Sequence, residues 1–199
     1  MRKLLRIKLE EALWLIFIKM NKDLSRVIEI PGNVEVAVKG NQVIVKGNGN
    51  ELIKIFDKGK VSIVFADNKI TISAKGATRR ESKMIGTIWA CINNMIKGVG
   101  ENFVYTLEIC NVHFPMNVKV EGNEVIIKSF IGETVKRTAK ILPAVKVDVK
   151  GSQIIVSSCD IEAAGQTAAN LEKATRLTGR DRRIFQDGIF MTEKPGRKI

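Results

Sequence analysis

Val36–Glu51 reads VAVKGNQVIVKGNGNE, and Val118–Glu133 reads VKVEGNEVIIKSFIGE. The two align without a gap: Gly40 falls on Gly122, Asn41 on Asn123, Val43 on Val125, Lys46 on Lys128 and Glu51 on Glu133. Each holds a strand of period two, a Gly-Asn turn and a second strand of period two. That pattern predicts a β-hairpin, because Gly-Asn supplies the positive φ angles of a tight turn. A stretch that occurs twice in one chain predicts a duplicated fold before any single element is considered.

The similarity extends outward from the hairpins. Val61–Ser73 (VSIVFADNKITIS) matches Val145–Ser157 (VKVDVKGSQIIVS), again as strand, polar turn and strand. A helical pattern follows in both copies. Met84, Ile85, Ile88, Trp89, Ile92, Met95, Ile96 and Val99 recur at helical spacing in the first, and Ile161, Ala164, Ala168, Leu171 and Ala174 in the second. Asp160 is placed to cap the second helix. Gly86 and Gly165 sit at corresponding points inside the two helices. A glycine there costs about 1 kcal/mol of helix propensity, so both predict a helix that approaches its sheet closely.

The expected class is α+β: two tandem duplicated domains, each a small mostly antiparallel sheet packed by one amphipathic helix. The expected divisions are an N-terminal extension over 1–20, a first repeat over 21–100, a second over 101–178 and a basic C-terminal segment over 179–199. In the extension, Leu13–Ile18 is apolar and follows the basic stretch Arg2–Lys8. A secretory leader fails on the short apolar core and on Lys19-Met20, where small residues are needed. The extension reads instead as a short amphipathic addition, or as non-native sequence ahead of a start at Met20. In the C-terminal segment Gly179 marks a helix stop and Asp187-Gly188 a turn. The last six residues read as unstructured without a partner.

Lys and Arg number 33 against 21 Asp and Glu, a formal charge of +12. An apolar fraction of 45% excludes a disordered basic tail. No apolar run approaches the roughly 20 residues of a bilayer span, which argues against an integral membrane protein. Three cysteines provide no disulfide framework. Cys91, Cys110 and Cys159 have no C-x-x-C spacing and read as small core residues of a reduced, cytoplasmic protein. His113 has no Ser, Cys or acidic pattern beside it and reads as a structural hydrogen-bonder. Gly47-Asn48-Gly49 joins two strands rather than a strand to a helix, so it is no phosphate loop. No catalytic constellation emerges. The expectation is a protein that is not an enzyme, with no metal, cofactor or small-molecule substrate.

A polyanion is the expected partner. Residues 101–172 are slightly acidic, whereas residues 173–199 hold eight basic and three acidic side chains. Five of the eleven arginines lie there: Arg176, Arg180, Arg182, Arg183 and Arg197. Arginine's planar fork suits bidentate phosphate contacts. A second cluster, Lys75, Arg79, Arg80 and Lys83, stands at the start of the first helix, where free amides and the dipole favour phosphate. Aromatic content is only 6%, and no finger or helix-turn-helix spacing is present. These features favour backbone and shape recognition of a folded or double-stranded nucleic acid over base stacking. The competing reading is a scaffold module that binds proteins through exposed sheet edges.

Ala164-Gly-Gln-Thr-Ala-Ala-Asn170, Ala174-Thr-Arg176 and Arg180-Asp-Arg-Arg-Ile-Phe-Gln-Asp-Gly188 together resemble the large-subunit ribosomal protein L-six family, in its archaeal and eukaryotic form. Asn94-Met-Ile-Lys-Gly98 and His113-Phe-Pro-Met116 also look like family motifs, and the resemblance covers about residues 24–194. It implies two similar α+β domains and binding to large-subunit ribosomal RNA, chiefly through the C-terminal domain. It further implies a place near the sarcin–ricin loop and the stalk base, with neighbouring ribosomal proteins and translation factors close by. Carried over onto this chain, the RNA-facing residues are Arg176, Thr178, Arg180, Arg182, Arg183, Gln186 and Asp187. Charge alone adds Lys194, Arg197 and Lys198.

Overall fold

A computed structural model describes residues 22–57, 59–66 and 68–199. The extension read over residues 1–20 lies outside the described residues. The chain divides into two compact units, Met1–Gly100 and Glu101–Ile199.

The first unit holds β1 (Lys22–Glu29), β2 (Glu35–Lys39), β3 (Gln42–Gly47), β4 (Asn50–Ile55), β5 (Ser62–Ala66), β6 (Lys69–Ala77) and the helix α1 (Arg79–Gly100). The strands form two antiparallel sheets, ordered β1-β6-β5 and β2-β3-β4. In the Gly40-Asn41 turn only the glycine takes a positive φ, 57°. At the next turn Asn48 (φ 47°) and Gly49 (φ 77°) are both left-handed, as a type I′ hairpin requires. Alternation then carries Val43, Val45, Ile70 and Ile72 inward to 0% exposure. Against them α1 buries Ile85, Ile88, Ile92, Met95, Ile96 and Val99, the face that the apolar spacing predicts. Each such side chain contributes roughly 1.5–3 kcal/mol on burial.

The second unit holds β7 (Phe103–Cys110), β8 (Asn117–Glu121), β9 (Glu124–Lys128), β10 (Arg137–Lys140), β11 (Lys146–Lys150), β12 (Gln153–Ser158), α2 (Ile161–Ala174), β13 (Gly188–Lys194) and β14 (Arg197–Lys198). Its sheets run β10-β9-β8 and β11-β12-β7-β13-β14. The Asp160 side chain accepts the Glu162 N–H at 2.9 Å, the cap read from the sequence. Ala164, Thr167, Ala168 and Leu171 form the buried face of α2.

The duplication is real at the level of single hydrogen bonds. Phe56 N–H donates to Asn41 C=O at 2.9 Å, and Ile141 N–H donates to Asn123 C=O at 2.8 Å, at matching points of the two units. The α+β duplication expected from the repeats is what the chain forms, with the hairpins of each unit divided between two sheets rather than joined in one.

The paired glycines behave differently. A Cβ on Gly165 would meet the Tyr105 hydroxyl at 3.0 Å, so α2 does approach its sheet closely. A Cβ on Gly86 would meet nothing within 4 Å, and the expectation of close approach there is corrected. The reason lies in the strands. Tyr105 pairs with Val156, and Arg26 pairs with Ile72, the repeat counterpart of Val156. The unit with Arg26 in place of tyrosine sends that side chain over the Trp89 ring, 5.5 Å from its centroid.

The C-terminal residues depart most from expectation. β13 pairs with the free edge of β7, and Ile189, opposite Ile109, is fully buried. Among the described residues the first unit has no such strand. The last six residues are not unstructured: Lys194 pairs with Arg197 across a turn where Gly196 has φ 76°, and Ile199 N–H donates to Thr192 C=O at 2.9 Å. Among the described residues no helix is long and apolar enough to cross a membrane.

Candidate nucleic-acid interface

The site is the loop between α2 and β13. Its first anchor is Thr175, whose hydroxyl accepts the Ile189 N–H at 2.9 Å and donates to the Glu172 carbonyl at 3.3 Å. The end of α2 is thereby tied to the start of β13. The second anchor is Arg137. Its guanidinium donates at 2.9 Å to Ala174 C=O, a terminal carbonyl with no intrahelical partner, and at 3.4 Å to Arg176 C=O just beyond the helix. Glu133 holds Arg137 through two bonds of 2.8 and 2.6 Å, and the guanidinium lies 4.4 Å from the Phe130 ring centroid. The hydrogen bond to Arg137 is the main reason the Glu133 carboxyl sits below its ordinary pKa, with the charges of Arg137 and Arg180 adding to it against burial. Sequence reading missed both anchors: the bonds that make them anchors, Thr175 to Ile189 and Arg137 to Ala174, join residues far apart in the chain.

Between the anchors, Asp181 shapes a tight turn. Its carboxylate accepts the Arg183 N–H at 2.9 Å, and its carbonyl accepts from Ile184 N–H at 3.2 Å and Phe185 N–H at 3.0 Å. Gln186 closes the turn by donating to Arg183 C=O at 3.3 Å. Arg182 and Arg183 therefore stand at the turn's apex, both exposed. Phe185 lies between Arg180, 4.7 Å from its centroid, and the His113 ring at 5.1 Å. Arg176, Thr178, Arg180, Arg182, Arg183 and Gln186 are all exposed on this one loop.

Asp187 is different. It is 1% exposed and cannot face RNA, so its carry-over as a contact residue is corrected. The His113 N–H donates to its Oδ1 at 2.9 Å, and His113 Nδ1 lies 2.8 Å from its Oδ2. Burial works to raise the Asp187 pKa, but hydrogen bonds from the backbone and ring of His113 and the backbone of Val112 outweigh it and hold the carboxyl below its usual range. The ionised carboxylate can only accept, so Nδ1 carries the proton. His113 takes the structural role that the sequence suggested.

The remaining candidates lie apart from the loop. Lys194, Arg197 and Lys198 are exposed on the β13–β14 hairpin, and Lys198 Nζ is 3.4 Å from Glu193 Oε1. β13 separates them from the arginine turn by about 20 Å at the usual rise per strand residue. Lys75, Arg79, Arg80 and Lys83 are exposed in the first unit, on β6 and the opening turns of α1. The expected free amides are partly engaged there. Thr78 N–H donates to Glu81 at 3.0 Å, the Thr78 hydroxyl bonds the same carboxylate, and Arg80 N–H donates to Thr78 Oγ1 at 3.3 Å. This is a capping box, and it occupies part of the helix end, so the cluster meets an anion chiefly through its side chains.

A cleft of about 960 Å³ opens between the C-terminal half of α2 and the arginine loop. Leu177, Phe185 and Phe190 line it together with Lys173, Arg176, Arg182 and Arg183. Among the described residues no group of three or more His, Cys, Asp or Glu side chains could hold a metal ion.

Comparison with known proteins adds a family. The profile described as Ribosomal protein L6 matches residues 30–102 and again 114–188, once in each unit. A "Large ribosomal subunit protein uL6" of Methanococcus vannielii is 46% identical over 172 residues, covering 86% of this chain and 94% of the relative. Its counterpart in Methanobrevibacter smithii is 43% identical over 167 residues, covering 84% and 94%.

Proposed function

The chain belongs to the ribosomal protein L6 family, and from that premise we propose that it binds large-subunit ribosomal RNA through the Arg176–Gln186 loop, near the sarcin–ricin loop and the stalk base, and so supports the surface where translation factors dock. The family is one of structural ribosomal proteins and not of enzymes. The protein is a component of the large subunit of the cytoplasmic ribosome, associated with that subunit and its RNA.

One observation carries the assignment of the loop: Arg182 and Arg183 stand exposed at the apex of a turn fixed by Asp181. Two guanidinium forks on a braced turn suit phosphate oxygens better than lysines would, because the planar fork matches them bidentately. Contacts of this kind fix register on RNA without reading sequence. The place near the sarcin–ricin loop and the neighbouring stalk-base proteins follow from what the family resemblance implies.

Charge reversal of Arg182 and Arg183 to Glu tests the loop. Co-sedimentation with large subunits should be lost, and unchanged incorporation would overturn the assignment. If six to ten phosphates are contacted, affinity for RNA falls by roughly 10³–10⁵ between 50 and 200 mM salt. A flat salt dependence would favour a protein-binding scaffold instead.

A further inference from the structure

We propose that the cleft beside the arginine turn takes one unstacked nucleotide of the RNA, with its base inward and its phosphate against the arginine rim. The proposal rests on the reading of the loop as an RNA contact and adds what kind of RNA it meets. The low aromatic content of the chain argued against base contacts, but composition averages over the whole sequence. The fold gathers two of the eight phenylalanines, Phe185 and Phe190, into a single cleft.

The volume, about 960 Å³, lies at the upper end of the roughly 300–1,000 Å³ typical of small-molecule sites. The walls divide by chemistry. Phe190 projects from the face of β13 opposite to buried Ile189 and belongs to no core cluster, and half-buried Leu177 lies on the loop. Phe185 already has Arg180 and His113 against its ring, so it serves as a wall rather than a stacking platform. Arg176, Arg182 and Arg183 supply positive charge on the same cleft. An apolar, aromatic interior with a guanidinium rim complements a nucleotide: the base is flat and apolar on its faces, and the phosphate is anionic. Guanidinium planes and aromatic rings are the two platforms on which splayed-out bases stack. Glu172 and Gln186, also on the lining, offer an acceptor and an amide to the base edge. A base paired inside a duplex cannot enter, so the occupant is a bulged or loop nucleotide.

The first test uses the unaltered full chain, isotopically labelled and titrated with AMP, CMP, GMP, UMP, ribose 5-phosphate and inorganic phosphate. At least one nucleotide should shift the amides of Leu177, Gly188 and Phe190 and bind at least about tenfold more tightly than ribose 5-phosphate. Equal binding of all six would overturn the proposal, since only the rim would then be at work. The second test fills the cleft with Ala169→Trp, an exposed position of α2 on its lining. Affinity for large subunits should fall at least about tenfold while the salt slope is unchanged, because the phosphate contacts remain. If charge reversal of Arg182 and Arg183 abolishes subunit binding and Ala169→Trp leaves it intact, the cleft proposal fails and the loop reading stands. If neither variant affects binding, the loop reading fails and the proposal falls with it.

Discussion

His113 Nδ1 lies 2.8 Å from Asp187 Oδ2, and the backbone N–H of the same histidine donates to Oδ1 of the same carboxylate at 2.9 Å. These two bonds join the loop after β7 to the residue before β13, and they hold the C-terminal side of the arginine turn in place. Asp187→Asn should cost about 1–3 kcal/mol, the usual penalty for disturbing a buried charged hydrogen bond. The pH dependence has a definite sign. The Asp187 pKa is depressed in the fold, so its contribution is complete above the unfolded value of about 3.9 and disappears as pH falls through the lower folded value. Urea midpoints of the wild type and Asp187→Asn, compared between about pH 2 and pH 6, should converge only below about pH 4. A constant gap throughout that range would refute this role for the carboxylate.

The two helix glycines should respond in different ways. Gly86→Ala adds a methyl group where nothing lies within 4 Å, and should gain up to about 1 kcal/mol from helix propensity. Gly165→Ala places its Cβ 3.0 Å from the Tyr105 hydroxyl, so the gain is lost or reversed. Tyr105→Phe removes that hydroxyl and should recover the benefit of alanine at position 165. Thermal melts of the four variants, the last a double, check this; equal gains from both glycines would contradict it.

Gly47 sits where the β3–β4 turn meets the end of α1. A Cβ there would lie 2.7 Å from Val99 Cγ1 and 3.2 Å from the Asn33 carbonyl oxygen. Gly47→Ala should destabilise the first unit by about 1–3 kcal/mol through overpacking. Combined with Val99→Ala, part of that loss should return, and denaturant titration of the double variant reads the coupling.

Arg137 caps the end of α2 while paired with Glu133 and stacked on Phe130. Arg137→Met keeps length and apolar contact but strands the Ala174 carbonyl, at a cost of about 1–3 kcal/mol. Arg137→Lys should rescue little, since an ammonium cannot reproduce the two-pronged bond to Glu133. Hydrogen exchange at residues 174–176 should quicken in both variants, and protection equal to wild type would show that the cap is dispensable.

The hairpins and both helices were legible because their information is local: alternation, a Gly-Asn turn and an apolar stripe each span a few residues. The C-terminal strand was not. GIFMTEK carries apolar residues on both faces, its register shifts between Met191 and Glu193, and no repeat counterpart points to it. The arginines of the loop were legible as a charged motif, but the motif did not separate exposed from buried members. Asp187 carried a warning in its sign, because a carboxylate is a poor partner for phosphate. Its bond to His113 lay beyond local reading, since the two residues are far apart in the chain. The unequal glycines likewise depend on Tyr105 in one unit and Arg26 in the other, strand residues that the helix pattern does not contain.

The position of β13 also sets an order of events during synthesis. The first unit has all its described strands and its helix once Gly100 has been made. The second cannot fill its core until Ile189 arrives to lie beside Ile109, and nearly the whole unit is translated between them. Until β13 has been made, the edge of β7 stays open and the Thr175–Ile189 bond at the C-terminal end of the loop is absent. A nascent chain still short of β13 carries the basic residues without the geometry that presents them. The brace at the C-terminal end of the loop is therefore among the last parts of the second unit to form.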